Sequence, residues 1–212
     1  MIEDNIRILR QAARITSGEH LPDEKIWCVI AGNVDLIDDI AYKAIASKNI
    51  VKILFREHVV LNEGRFDKKF DFIMLYGNSR KIDEFERISK SKGGAFVRIS
   101  HYYIKEESNI MVFVSPDDTI KDSVSIIEKS RIPFAILQES QTTGFIDVDI
   151  SADVKIPGFV KAALKPFYGV NEVVLSTILI SVENEEDVGK VQSIATSKKI
   201  FVIDFKDIMV ED

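Results

Sequence analysis

The sequence predicts an α/β fold of three layers, αβα, on a mostly parallel sheet, with a C-terminal βαβ extension. Three observations predict it. First, Phe70 with Phe72 to Leu75 forms a near-continuous apolar run, which suits a strand covered on both faces, as parallel strands are. Second, Ile82, Phe85 and Ile88 follow at helical spacing, Gly93-Gly94 stops the helix, and a further apolar run begins at Ala95, so Phe70 to Ser100 reads as one βαβ unit. Third, short apolar runs alternate with amphipathic segments along most of the chain.

Taken in order, residues 2–16 read as a helix with Ile6, Leu9 and Ala13 on one face, ended by Ser17-Gly18. Ile26 to Ala31 is a buried strand, and a helix to about Ser47 turns Val34, Ile37, Ala41, Ala44 and Ile45 inward. Ile50 to Phe55 gives the next strand, with Arg56 to Lys69 as a polar connector. After the unit at 70–100 come a strand at Ile110 to Val114 and a helix opened by Ser115-Pro116-Asp117-Asp118, with Pro at the first position and acids against the dipole. Phe134 to Leu137 is a short strand, followed by a Gln/Ser/Thr loop and a strand from Phe145 to Ile150. From Ser151 the texture changes: a short helix at Phe159 to Lys165, a strand at Val173 to Val182, a helix from Asn184 and a last strand at Ile200 to Phe205. The expected division is a core domain at 1–150 and an extension, or a second edge of the same sheet, at 151–212.

Composition bounds function. With 46% hydrophobic and 29% charged residues in 212, the chain is of ordinary globular balance and long enough to bury a sizeable core. A net charge of −6 argues against general nucleic-acid binding, which needs clustered cations to neutralise phosphates. The apolar stretch Val173 to Val182 is too short to span a membrane, and the N-terminus lacks the apolar core of a secretory signal, so a cytoplasmic protein is expected. The single Cys28 excludes a disulfide framework and lies in a strand, where it packs as a small hydrophobe.

Two turns share one spacing: Gly32-Asn33 with Ile37-Asp38, and Gly77-Asn78 with Ile82-Asp83. Glycine permits a sharp turn, and asparagine caps the helix that follows. In a parallel sheet both turns reach the carboxyl edge, where free helix amides favour an anion. Gly32, Asn33, Gly77, Asn78, Ser79, Arg80 and Lys81 are therefore the expected ligand-binding residues, with Ser79, Arg80 and Lys81 strengthening the second loop. The same pattern is also good turn chemistry without a ligand. No P-loop, dinucleotide fingerprint, serine-hydrolase elbow or zincin motif occurs, and no cofactor is expected. Should catalysis occur, the acid–base candidates are Glu57, His58, Glu63 and His101, which lie in or beside connectors; each reads first as a solvated loop residue.

The order of elements over residues 1–115 resembles the sugar isomerase (SIS) phosphosugar-binding fold, and more broadly flavodoxin-like sheets. Gly32 to Asp35 and Tyr76 to Lys81 match its two strand-end loops, with Arg80-Lys81 in place of the family's Ser/Thr cluster. The resemblance implies binding of a sugar phosphate and, with a base at hand, aldose–ketose isomerisation. A second stretch, Val112 to Asp149, resembles a cystathionine-β-synthase (CBS) module, which implies adenine-nucleotide sensing without catalysis near Thr143 and Asp149. A third reading is an assembly protein with a decayed ligand site. A homodimer is expected in each, since an edge such as Ile200 to Phe205 gains from cover.

Overall fold

The computed structural model describes residues 25–47, 50–100, 109–151, 154–167 and 169–204. Among these described residues eight strands and five α-helices follow in the order β1 (Lys25–Gly32), α1 (Val34–Ala46), β2 (Val51–Glu63), β3 (Phe66–Asn78), α2 (Ser79–Ser91), β4 (Ala95–Ser100), β5 (Ile110–Pro116), α3 (Asp117–Lys129), β6 (Phe134–Ile150), α4 (Gly158–Leu164), β7 (Gly169–Val182), α5 (Glu185–Ser197) and β8 (Phe201–Asp204). The mixed helix–strand class expected from the sequence stands. The expected helix at 2–16 lies outside the described residues.

The strands pair antiparallel throughout, which corrects the mostly parallel, SIS-like or flavodoxin-like sheet. The reason lies in two polar stretches. Residues 56–63 continue β2, and Phe66–Lys69 begin β3, so the supposed connector is a hairpin turning at Gly64, whose φ of 66° suits a two-residue turn. Likewise the Gln/Ser/Thr stretch lies inside β6, which runs alongside β7 from Phe134 to Val148. Hairpins reverse the chain where crossovers would have kept it parallel.

The pairing defines two repeats of one design. Residues 25–100 give β1-α1-β2-β3-α2-β4 with strand order β4-β1-β3-β2; residues 110–204 give β5-α3-β6-β7-α5-β8 with order β8-β5-β7-β6. Both are the split βαβ, or ferredoxin-like, arrangement. Cys28 lies between Leu75 and Arg98, and Met111 lies in the same way between Ile180 and Asp204. Even the bulges coincide: β2 slips between Ile53 and Phe55, and β6 between Ile136 and Gln138. The position 150/151 falls between β6 and β7, two strands bonded to each other, whereas the repeats meet between β4 and β5.

Alternation along the strands sorts the core into three apolar layers. Trp27, Phe70, Phe72, Met74 and Tyr76 of the first sheet pack against Val112, Val114, Leu175, Leu179 and Ile203 of the second. The rings of Phe72 and Phe201 lie 4.5 Å apart across that layer. The opposite face of the first sheet is covered by α1 and α2 through Ile37, Ile40, Ile82 and Phe85, and that of the second by α3 and α5 through Ile120, Ile127, Val191 and Ala195. The result is four layers, αββα, in place of the expected three. Pairing of Phe66–Lys69 with Asp147–Ile150 joins the sheets at one corner.

Candidate functional site

Gly32 and Gly77 do not share a cleft. In the antiparallel register Gly32 faces Asp71, while Gly77 faces Ile26 at the other end of β1. Six residue steps of strand separate the two positions, about 20 Å at ~3.3 Å per residue. The expectation of one pocket built from both loops is thereby overturned, because two parallel strands would have ended at one edge and these do not.

Locally, the capping chemistry is as expected. Asn33 Oδ1 accepts from the Leu36 amide at 2.9 Å and Asn78 Oδ1 from the Arg80 amide at 3.0 Å, so each asparagine satisfies an amide at a helix start. Gly77 serves close packing: a Cβ there would stand 2.4 Å from the Ile50 carbonyl oxygen and 2.8 Å from Val51 Cα. At Gly32 a Cβ would meet the Leu36 side chain at 2.7 Å. Ser79 is fully buried, Arg80 is exposed, and Lys81 pairs with Glu84 at 2.6 Å beside the Phe85 ring.

At the Gly32 end, the helix-facing side of β2 and β3 carries a polar cluster. Asp71 is 4% exposed; its Oδ2 accepts from Arg56 Nε at 3.0 Å and Nη2 at 2.5 Å, and its Oδ1 lies 2.6 Å from His58 Nδ1. Arg56 Nη1 reaches on to Asp38 of α1 at 2.5 Å. Burial alone would lower the pKa of Arg56, but hydrogen bonds to Asp71 and Asp38 outweigh it and raise it above the usual range. A buried carboxylate thus holds one edge of the His58 ring, which is otherwise 56% exposed. Such a pair can orient an imidazole for proton transfer. Among the described residues no hydroxyl or thiol is bonded within it, and burial raises the pKa of the Cys28 thiol far from any thiolate range.

Glu57 neighbours His58 but alternates to the other face of β2 and is exposed. Glu63 ends β2 opposite Phe66. His101, the remaining acid–base candidate, lies outside the described residues. Among the described residues no group of three or more His, Cys, Asp or Glu could hold a metal ion. Sequence reasoning missed Arg56, Asp71 and Asp38, because their association depends on the β2–β3 hairpin; a two-residue turn signal at Gly64-Arg65 could have shown it.

At the Gly77 end, an open cleft of about 510 Å³ lies between the end of α1 and the first turn of α2, lined by Lys43, Ala46, Ser47, Ile50, Lys81 and Glu84. The second repeat has its counterpart, about 570 Å³, between the α3–β6 turn and α5, where Ser130 stands for Ser47. Its Asp187 and Lys190 pair at 2.6 Å with the polarity of Lys81–Glu84 reversed. Lys43, overlooked in the sequence, lines the first cleft together with Lys81 and pairs with Asp39 at 3.3 Å.

No family model matches the chain, and no curated protein does. Solved structures give low similarity. A protein of unknown function from Galdieria sulphuraria is 11% identical, with 85% of this chain and 96% of that one covered and a TM-score of 0.28. A protein from Bacteroides thetaiotaomicron is 10% identical, with 86% and 92% covered and a TM-score of 0.26. A third, whose name provisionally assigns it as a glycine cleavage system transcriptional repressor, is 10% identical over 85% and 95%, with a TM-score of 0.27. At such TM-scores these likenesses carry no argument, and the chain is described by its own topology: two split βαβ repeats stacked sheet to sheet.

Proposed function

We propose that this protein is a non-catalytic binding module for a phosphorylated small molecule, a sugar phosphate being the leading class, held in the cleft between α1 and α2. The observation that carries the reading is the convergence of Lys43 and Lys81 on a cleft at the N-terminal turn of α2. Lysines and helix-start amides both favour a phosphate dianion. Isomerisation requires a base beside the bound sugar. Glu57 and His58 pair with Phe72 and Asp71, five to six residues along β3 from Gly77, or roughly 16–20 Å from that loop. That separation exceeds the reach of one sugar phosphate, so binding is the better-supported half of the expectation.

Thermal denaturation with hexose phosphates and with inorganic phosphate tests this. Preferential binding to the native state raises the unfolding midpoint. Lys43→Ala with Lys81→Ala should abolish the rise while leaving the ligand-free midpoint nearly unchanged; a full response in that variant would remove the site from this cleft.

A second reading is favoured by the duplication itself. Equivalent clefts in two repeats suit a regulatory module that senses nucleotide at paired positions. Of the residues that the CBS resemblance implies, Asp149 pairs with Lys69 at 2.8 Å. Adenine nucleotides binding with two sites per chain, one lost in Arg131→Ala with Lys190→Ala, would support it over the sugar phosphate. Response to neither ligand class would leave the assembly role.

A further inference from the structure

The insertion between β6 and β7 has no counterpart in the first repeat, where Gly64 turns the chain at once, and it contains a helix of which Val160 and Leu164 are half-buried and the rest is exposed. No residue of α4 is buried, and Phe159 is 78% exposed. Phe159 and Ala163 lie four apart on one face, with Val160 and Leu164 beside them, while Lys161 and Lys165 form a separate stripe. Between residues 154 and 167 there are three lysines, Lys155, Lys161 and Lys165, and no acid. An exposed apolar stripe bordered by cations on a chain of net charge −6 is a surface arranged for a partner.

A complementary surface stands on α1. Asp35, Asp38, Tyr42 and Ile45 recur at steps of three, four and three along its outward face. Tyr42 is 75% and Ile45 69% exposed; with Phe159 they are the three most exposed large hydrophobic residues described. One helix therefore offers apolar residues with acids, and the other offers apolar residues with lysines.

We propose that α4 of one copy of this chain docks on the outward stripe of α1 of a second copy, with Phe159 seated against Tyr42 and Ile45 and Lys161 and Lys165 toward Asp35 and the exposed side of Asp38, whose other partner is Arg56. Burying the aromatic anchor supplies affinity, and the charges set orientation. This surface is distinct from the β8 edge expected from the sequence, and it does not depend on the ligand proposed above.

Sedimentation velocity over a micromolar concentration series tests it with the full chain. The wild type should self-associate, and Phe159→Asp or Ile45→Asp should each raise the dissociation constant at least about tenfold. Because both side chains are exposed, circular dichroism and the unfolding midpoint should stay unchanged. Mixing the two variants restores one intact α4–α1 contact, so a heterodimer should form where neither variant associates alone. A wild type that stays monomeric throughout, variants that associate normally, or a mixture that stays monomeric would each overturn the proposal.

Discussion

His58 Nδ1 lies 2.6 Å from the Asp71 carboxylate across neighbouring strands, and the same carboxylate holds Arg56, which in turn reaches Asp38 on α1. One buried acid thereby ties an edge strand to a central strand and to the helix above them. Asp71→Ala should cost about 2–3 kcal/mol, since it removes the buried carboxylate that holds both Arg56 and His58 and leaves Arg56 only its exposed contact to Asp38. Asp38→Ala, at the exposed end of the chain of contacts, should cost under about 0.5 kcal/mol. Urea denaturation of the two variants checks the ranking, and equal costs would refute it.

Gly77 and Gly32 should respond differently to a methyl group. At Gly77 the obstacle is backbone, the Ile50 carbonyl and Val51 Cα, and backbone cannot rotate away. Gly77→Ala should destabilise by about 2 kcal/mol or more through displacement of β2. At Gly32 the obstacle is the tip of Leu36, so Gly32→Ala should cost about 1 kcal/mol. Thermal unfolding of both variants without ligand separates packing from any role in binding.

The free edge of β4 is closed by side chains of the second repeat. Ser140 Oγ accepts from the Phe96 amide at 3.0 Å, and Gln138 Oε1 accepts from the Arg98 amide at 2.9 Å. Gln138→Ala should cost about 1 kcal/mol. Hydrogen exchange should also accelerate at Arg98 more than at β1 amides such as Val29; uniform acceleration would indicate global destabilisation instead.

Asp39 supplies a pH dependence. Its hydrogen bond from Lys92 is the main cause lowering its pKa below the ordinary 3.8, with Lys43 assisting and burial opposing. A carboxyl whose folded pKa is lowered stabilises the fold fully above its unfolded value and loses that contribution as pH falls through the folded value. Lys92→Met should therefore lower stability at neutral pH and converge on the wild type in strong acid. Parallel denaturation curves at the two pH values decide it.

The repeats should not fold as independent monomers. Trp27, Phe72 and Tyr76 find their cover in the other sheet, and ~25 cal/mol per Å² of exposed apolar surface opposes separation. A fragment ending between β4 and β5 is expected to associate or remain unfolded, as read by sedimentation and near-ultraviolet dichroism.

What the sequence by itself determined was local. Apolar spacing located β1, α1, α2, β5, α3 and α5, and Asn33 and Asn78 cap their helices as their chemistry requires, because periodicity and capping act within a few residues. Strand direction was decided only in the tertiary structure. The exposed part of β2, from Arg56 to His58, has the polarity of a loop, since an edge strand needs no second apolar face, and nothing local names its hydrogen-bond partner. That single ambiguity turned crossovers into hairpins and sent Gly32 and Gly77 to opposite ends of the sheet. It also brought Arg56, His58 and Asp71 together across strands that their positions in the chain leave unconnected.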